Sequence, residues 1–136
     1  MSPIEQVIVN KKSNINPIWI MRQAGRYLPE FREIRKQNPD FIKLCLNERL
    51  AAEISLQPIK RFDLDFIILF SDILVIPHAL GQNVHFLKNH GPSLNSINSK
   101  EDINYLDFKG CLRKISNILE TIKILHSKKG TKNLIG

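Results

Sequence analysis

The stretch Phe66-Ile-Ile-Leu-Phe-Ser-Asp72 (FIILFSD, residues 66–72) decides the fold class. Its first five residues are all apolar, so a strand formed by them would bury both of its faces. That pattern is typical of a parallel strand covered by helices, because a strand with one wet face alternates apolar and polar residues. The apolar run stops at Ser71 and Asp72, which places a polar tip directly after a buried strand.

A second apolar run lies earlier in the chain, at residues 17–21. Pro17-Ile-Trp-Ile-Met21 is short and rich in β-branched and aromatic residues, and it predicts another buried strand. A polar loop follows it from Arg22 to Arg26. Residues 1–16 are mixed and rich in Asn, and we expect them to form a partly ordered N-terminal arm.

Two helices are predicted between the strands. Pro29 suits the first position of a helix, with Arg35-Lys36 at its far end, where basic residues complement the helix dipole. Asn47 can cap a second helix that ends at Lys60-Arg61. This helix would place one apolar face against the core, formed by Leu50, Ala51 and Ile54.

Beyond the strand, residues 77–107 contain several turn formers and predict a loop with short elements. A helical spacing of three and four then begins, and it is carried by Phe108, Leu112, Ile115, Leu119, Ile122 and Leu125. Lys128-Lys129 and Gly130 predict the end of this helix, and residues 133–136 begin like another buried strand. Strands that alternate with helices in this way indicate an α/β architecture.

The formal net charge is +7, from 20 Lys and Arg against 13 Asp and Glu. Such an excess indicates a nucleic acid, a membrane surface or an anionic small molecule as partner. Four of the Arg fall within a short segment, at Arg22, Arg26, Arg32 and Arg35. A guanidinium group recognises carboxylate or phosphate through a planar fork, so the cluster indicates an anion site, with a solvated face as the alternative.

The remaining composition predicts neither a metal site, a disulfide nor a membrane segment. Cys45 and Cys111 lie far apart, and His78, His85, His90 and His126 show no metal-ligand spacing, so we expect packed thiols and no metal site. The longest apolar run, residues 66–76, is interrupted and falls short of the about 20 residues that span a bilayer. With no apolar leader at the N-terminus, we expect a cytoplasmic protein.

Two polar sites follow predicted strands. Arg22 and Arg26 flank Ala24-Gly25, whose small side chains would let a ligand approach the backbone, and together they could clamp a carboxylate or phosphate. The alternative is that these Arg form ion pairs and Gly25 makes a turn. Asp72 should be partly desolvated, and such a carboxylate is paired, hydrogen-bonded or functional; it could equally cap the next helix or pair with an Arg.

Three segments resemble the signatures of uroporphyrinogen decarboxylases. PIWIMRQAGRYLPEFR (residues 17–32) resembles one signature, FIILFSDILVIPHALG (66–81) resembles a second, and HGPSL (90–94) follows at about the expected place. The long helix and the closing LIG also fit, so the resemblance extends from residue 17 to the last residue. A run such as MRQAGRYLPE is highly specific.

The resemblance implies a (β/α)₈ TIM barrel that dimerises and needs no cofactor. Such a barrel takes about 250 residues, so residues 17–136 would supply about its first half, after the arm at 1–16. The implied reaction removes the carboxyl groups from the four acetate arms of uroporphyrinogen III and gives coproporphyrinogen III. An octacarboxylate substrate would explain the basic cluster without nucleic acid or membrane.

The same resemblance implies roles for individual residues. The substrate-binding loop would consist of Arg22, Gln23, Ala24, Gly25 and Arg26, with Arg35 as a further basic contact. Asp72 matches the family's central carboxylate, which accepts hydrogen bonds from the pyrrole N–H groups, and Phe70 and Ile73 would contribute apolar wall. A Tyr, a Ser and a His that the family brings from later strands have no position in this sequence.

Other interpretations stay open at this stage. A related family of zinc-dependent methyltransferases acts on corrinoid or thiol substrates, but its members are not expected to carry MRQAGR. The chain could also be a porphyrinogen-binding remnant without turnover, or an inactive, aggregation-prone part of the enzyme. A small basic nucleic-acid binder is the alternative of a different class.

Overall fold

A computed structural model of the chain describes residues 2–12, 14–87 and 91–136. Helices and strands are both present, as the sequence predicts for an α/β protein. In chain order the elements are α1 (Pro3–Asn10), α2 (Pro29–Gln37), α3 (Phe41–Cys45), α4 (Glu48–Arg61), β1 (Phe66–Ile68), α5 (Val75–Ala79), β2 (His85–Leu87), β3 (Gly91–Ser93), α6 (Lys100–Asn104), α7 (Cys111–Lys114), α8 (Ser116–Lys128) and β4 (Asn133–Ile135).

The central sheet pairs β1 with β4 in parallel, and Ile67 faces Leu134 across the ladder. The parallel pairing predicted from the apolar run at 66–70 is confirmed. The prediction that both faces are buried is met only in part, because Ile67 is fully buried whereas Phe66 and Ile68 are partly buried. The ladder ends earlier than the apolar run does, with a last bond from the Leu69 amide to the Ile135 carbonyl at 2.9 Å. The strand predicted near the end of the chain is confirmed as well. A second, antiparallel pair joins β2 to β3.

Helices α4 and α8 pack against each other and against the central sheet. Their shared core consists of Ala52, Leu56, Ile67 and Leu125. The predicted cap of α4 is confirmed, because the Asn47 Oδ1 atom accepts a hydrogen bond from the Leu50 amide at 3.0 Å. α4 ends at Arg61, as its basic exit predicts.

The predicted helix after the polar loop is confirmed as α2, which begins at Pro29 and carries Arg35 and Lys36 in its last turn. It packs on α4 through a cluster formed by Leu28, Phe31, Leu44 and Ile54. The Arg61 guanidinium binds both carboxylate oxygens of Glu30, at 2.9 and 3.2 Å, and this hydrogen bonding lowers the pKa of Glu30. The pair fixes the start of α2 against the end of α4.

The prediction of a buried strand at Pro17–Met21 is wrong. No strand is assigned there, and Ile18, Trp19, Ile20 and Met21 expose between 50% and 68% of their surface. The segment does run beside β1, where the Ile18 amide donates to Asp65 Oδ2 at 2.7 Å and the Ile18 carbonyl accepts from the Asp65 amide at 3.2 Å. A strand requires a continued ladder of backbone bonds. Beyond Ile18, the side chain of Gln23 occupies the edge of β1 instead of backbone.

The single helix predicted from Phe108 onward is divided into α7 and α8 by Ile115. The division changes the face that is buried: Thr121 and Leu125 lie inside, whereas Phe108, Leu112 and Leu119 are exposed. The predicted spacing runs across the break at Ile115, and three of its six positions are exposed, so half of the predicted face is wrong. The stop is confirmed, since Gly130 follows α8 with a φ of 57°.

The N-terminal residues are more regular than an arm. α1 begins at a capping box, in which the Ser2 hydroxyl accepts a hydrogen bond from the Glu5 amide and the Glu5 carboxylate accepts one from the Ser2 amide. The Ser2 hydroxyl also accepts from Asn133 Nδ2 at 2.8 Å, which ties α1 to β4.

Short elements occupy residues 77–107, as predicted, and His90 of the HGPSL segment lies outside the described residues. Cys45 is buried and Cys111 is partly buried, both as free thiols, as expected. Within the part of the chain that the structure describes, no helix is both long and apolar enough to cross a bilayer.

Candidate active site

A cavity of about 950 Å³ opens beside β1, at the end of the strand that leads to Asp72. Five parts of the chain line it: the loop after Ile20, one side of α2, the turn into α3, the end of β1 and a single residue of β2. The lining residues are Met21, Arg22, Gln23, Ala24, Gly25, Arg26, Phe31, Arg32, Arg35, Lys36, Pro39, Phe41, Ile68, Leu69, Phe70, Ser71, Asp72 and Phe86. The two polar sites predicted from the sequence therefore share one cavity.

The Gln23 side chain fixes the loop between Arg22 and Arg26 to the sheet. Its Nε2 atom donates to the Phe66 carbonyl at 3.0 Å, and its Oε1 atom accepts from the Ile68 amide at 3.3 Å. The carboxamide thus pairs with β1 as a peptide group of a neighbouring strand would. Gln23 is only 3% exposed, whereas the side chains of Arg22 and Arg26 are exposed on the cavity wall. The loop therefore presents its cations while its glutamine holds the backbone.

All four Arg of the sequence cluster line this cavity, together with Lys36. Among the described residues, none of these five cations pairs with a carboxylate. Arg32 instead donates from Nη1 to the Arg26 carbonyl at 2.8 Å, which braces the loop from α2. The ion-pair alternative for Arg22 and Arg26 is therefore not what the described residues form. The arrangement is an excess of positive charge in a concave site, which favours a polyanion.

Arg35 has two contacts that hold its guanidinium group. Its guanidinium carbon lies 5.2 Å from the centre of the Phe41 ring, within the range of a cation–π contact. Its Nη1 atom also donates to the Asn38 carbonyl at 2.5 Å.

Asp72 is the carboxylate of the cavity wall, and two contacts fix its position. The Ser55 hydroxyl on α4 accepts from the Phe70 amide at 2.8 Å, which holds the segment just after β1. The Asp72 Oδ1 atom accepts from the Leu74 amide at 2.9 Å. This bond closes the turn before α5, but the N-cap of α5 is Leu74 and no side chain caps that helix, so the alternative of a helix cap is not what forms. Asp72 remains half-buried in the cavity.

The pKa of the Cys45 thiol is affected by two charged residues of the cavity, Asp72 and Arg35. Burial, with a further contribution from the Asp72 carboxylate, raises the pKa of this thiol to about 12, while Arg35 acts in the opposite direction. The thiol therefore stays protonated at neutral pH, and Cys45 acts as a packed core residue.

Some lining residues were not predicted from the sequence. Phe70 was expected as apolar wall and does line the cavity, whereas Ile73 does not: its side chain is 87% exposed. Ile73 fails because the chain turns at Asp72 and directs the next side chain to solvent. Phe41 and Phe86 come from segments without any motif, so no pattern in the sequence marks them. No group of three or more His, Cys, Asp or Glu that could hold a metal ion occurs among the described residues.

Comparison with known proteins places this chain in a family. The family model described as uroporphyrinogen decarboxylase matches residues 1–136. A uroporphyrinogen decarboxylase from Brucella anthropi is 49% identical over 112 residues, which are 82% of this chain and 33% of that protein. The proteins of the same name from Brucella ovis and Brucella canis are 47% identical over the same shares.

The chain thus spans about a third of the length of the curated relatives it matches, less than the half expected from barrel size. It belongs to the uroporphyrinogen decarboxylase family.

Proposed function

We propose that this chain provides the N-terminal part of a uroporphyrinogen decarboxylase, which converts the four acetate side chains of uroporphyrinogen III to methyl groups and yields coproporphyrinogen III. One observation carries the proposal beyond family membership: five cations surround a cavity whose wall holds the Asp72 carboxylate. A substrate with eight carboxylates and four pyrrole N–H groups complements both kinds of charge.

The cations would bind the carboxylate arms. Guanidinium groups form short, charge-assisted hydrogen bonds with carboxylates, often in pairs. Arg22, Arg26 and Arg35 reach the cavity from three points of its wall, so they can contact different arms of one macrocycle. Ala24 and Gly25 lie between the first two and leave room for the ring to approach the loop.

Asp72 would act on the pyrrole ring. Protonation of a pyrrole carbon gives a cationic ring, which accepts the electron pair of the breaking C–C bond as CO₂ leaves. A second protonation at the resulting methylene group, with loss of the ring proton, completes the methyl group, so each arm consumes one proton and releases one CO₂. A fixed carboxylate beside the ring nitrogens stabilises the cation, and preorganised charge of this kind is a large catalytic effect. The pyrrole serves as its own electron sink, and no cofactor is required.

Residues 17–136 would form the first part of a (β/α)₈ TIM barrel, preceded by the segment 1–16. The parallel pair of β1 and β4, with α4 and α8 packed against it, supports this architecture. A homodimer in the cytoplasm is the assembly that the family resemblance favours. The cations converge inside a cavity, an arrangement that suits a small polyanion better than a nucleic acid or a membrane surface.

The proposal is tested by anaerobic decarboxylation of uroporphyrinogen III. The 136-residue chain is assayed alone, and again after mixing with the C-terminal part of the Brucella anthropi relative. Activity only in the mixture is the expected result. Uroporphyrin binding without turnover in the mixture would favour a porphyrinogen-binding remnant, and absence of both would contradict the proposed function.

A further inference from the structure

Four phenylalanine rings form a continuous row from the core to the rim of the cavity. Phe31 meets Phe70, Phe70 meets Phe41, and Phe41 meets Phe86, all edge to face, with ring centres 5.8, 5.8 and 5.4 Å apart. Edge-to-face packing of this kind is favourable because the positive rim of one ring meets the negative face of the next. The row joins the segment that follows β1 and leads to Asp72 with α2, α3 and β2.

Phe41 is the ring in this row that also contacts a cation. It is the first residue of α3, whose Asp40 cap accepts a hydrogen bond from the Lys43 amide at 3.1 Å. Its neighbours on either side, Phe70 and Phe86, restrict the rotation of its ring. The Arg35 guanidinium lies over the Phe41 ring, 5.2 Å from the ring centre.

This contact leaves the hydrogen-bonding groups of Arg35 available. A guanidinium has five N–H donors, and Arg35 gives one of them to the Asn38 carbonyl. The Phe41 ring attracts the positive charge through its π face and engages no further donor. Among the described residues, no carboxylate pairs with Arg35. The group is therefore oriented in advance, while its remaining donors stay free for a ligand.

We propose that Phe41 is a positioning residue that orients Arg35 to bind one carboxylate arm of the tetrapyrrole. The inference rests on the proposed function of the cavity and deepens it. Orientation before binding lowers the entropy lost on binding, so a fixed Arg binds a carboxylate more tightly than a mobile one. Arg22 and Arg26 have no comparable ring contact among the described residues.

The test compares Phe41→Leu with Phe41→Tyr in the full chain, mixed with the C-terminal part of the Brucella anthropi relative. Uroporphyrin, the oxidised and fluorescent form of the substrate, serves as the octacarboxylate probe, and its Kd is measured by fluorescence titration. Leu removes the π face and should raise Kd about three- to tenfold, whereas Tyr keeps the face and should leave Kd within about twofold. Phe108→Leu, a change at an exposed ring outside the cavity, is the matched control.

A double-mutant cycle with Arg35→Gln separates positioning from packing. If Phe41 acts through Arg35, Phe41→Leu has no further effect on Kd in the Arg35→Gln background, because coupled residues are not additive. A full additional loss in that background, or an unchanged Kd in Phe41→Leu alone, would overturn the proposal. If Phe41→Leu lowers the melting temperature, Phe41→Met, which keeps the volume without the ring face, replaces it in the cycle.

The same measurements distinguish failure of the proposed function from failure of the positioning role of Phe41. Failure of the parent mixture to bind uroporphyrin would remove the proposed function and this inference together. If Arg35→Gln leaves the Kd for uroporphyrin unchanged, Arg35 does not bind the ligand and Phe41 has no positioning role, whereas the roles proposed for the other cations are unaffected. Binding that responds to Arg35→Gln but not to Phe41→Leu would remove the positioning role alone.

Discussion

At the scale of single residues, the charge of Asp72 can be changed without changing its contacts. One carboxylate oxygen already accepts a hydrogen bond from the Leu74 amide, and an Asn side chain offers the same acceptor at the same place. We therefore expect Asp72→Asn to fold normally and to lower the rate of decarboxylation by about 100-fold or more, because it removes the charge that would stabilise the ring cation.

The effect is measured with the mixture of the chain and the C-terminal part of a relative, under anaerobic conditions. Thermal melting of the Asp72→Asn variant and of the parent chain serves as the control for folding. Near-normal turnover by Asp72→Asn would exclude the proposed role of this carboxylate.

Arg26 is a residue whose binding role can be separated from the fold. Its carbonyl accepts from Arg32, and that bond survives truncation of the side chain, which is exposed in the cavity. We expect Arg26→Ala to raise the Kd for uroporphyrin about tenfold, the loss of a hydrogen bond to a charged group, and to leave the melting temperature unchanged.

Arg49→Ala is the matched control, since Arg49 is exposed on α4 and does not line the cavity. An equal loss of affinity in both variants would indicate a general charge effect. Unfolding of Arg26→Ala would return this residue to a structural role.

At the scale of elements, the loop and the strand are joined by a side chain. The buried Gln23 carboxamide satisfies the Phe66 carbonyl and the Ile68 amide on the open edge of β1. We expect Gln23→Met to lower the free energy of unfolding by about 1–3 kcal/mol, because it leaves two part-buried backbone groups without their partners. Uroporphyrin binding should weaken as well, since the loop that carries Arg22 and Arg26 loses its attachment.

Denaturant unfolding of the chain measures the change. Gln37→Met, at an exposed position at the end of α2, should stay within about 0.5 kcal/mol of the parent. Equal stabilities for the parent and Gln23→Met would show that the carboxamide does not act as an edge partner of β1.

Helix limits were predicted well because their signals are local. Pro29 and the Asn47 cap act on backbone groups within the next three residues, so the sequence alone contains the interaction. The segment Pro17–Met21 failed because a strand depends on a partner. Its apolar composition fits a buried strand, but its burial depends on residues distant in the sequence.

At the scale of the whole molecule, the segment Pro17–Met21 forms an apolar surface beside the sheet, with Ile18, Trp19, Ile20 and Met21 each at least half exposed. If the proposed barrel is correct, this is a surface that the C-terminal part of the enzyme covers. Trp19, the single tryptophan of the chain, lies on it with 51% of its surface exposed and can report the change.

We expect Trp19 fluorescence to shift to shorter wavelength, and its quenching by iodide to fall, when the chain is mixed with the C-terminal part of the Brucella anthropi relative. Any tryptophan in that partner is replaced by Phe, and the Trp19→Phe chain provides the blank. An unchanged emission in a mixture that does form a complex would show that this surface is not the one covered.

The sequence by itself determined the α/β class, the boundaries of α2 and α4, the family, and the charged residues that meet in the cavity. Apolar runs, helix caps and the two signatures contain this information within short segments. Arg22, Arg26, Arg35 and Asp72 were all named from such segments, and all of them line one cavity.

Only the tertiary structure decided how those residues are held. The pairing of Gln23 with β1, the support of Phe70 by Ser55 and the contact of Phe41 with Arg35 join positions that no local pattern connects. The physical reason is that a hydrogen bond or a ring contact depends on distance in space, and separation along the chain does not fix that distance. The charged groups of this cavity were therefore predictable from the sequence, whereas the contacts that hold them were not.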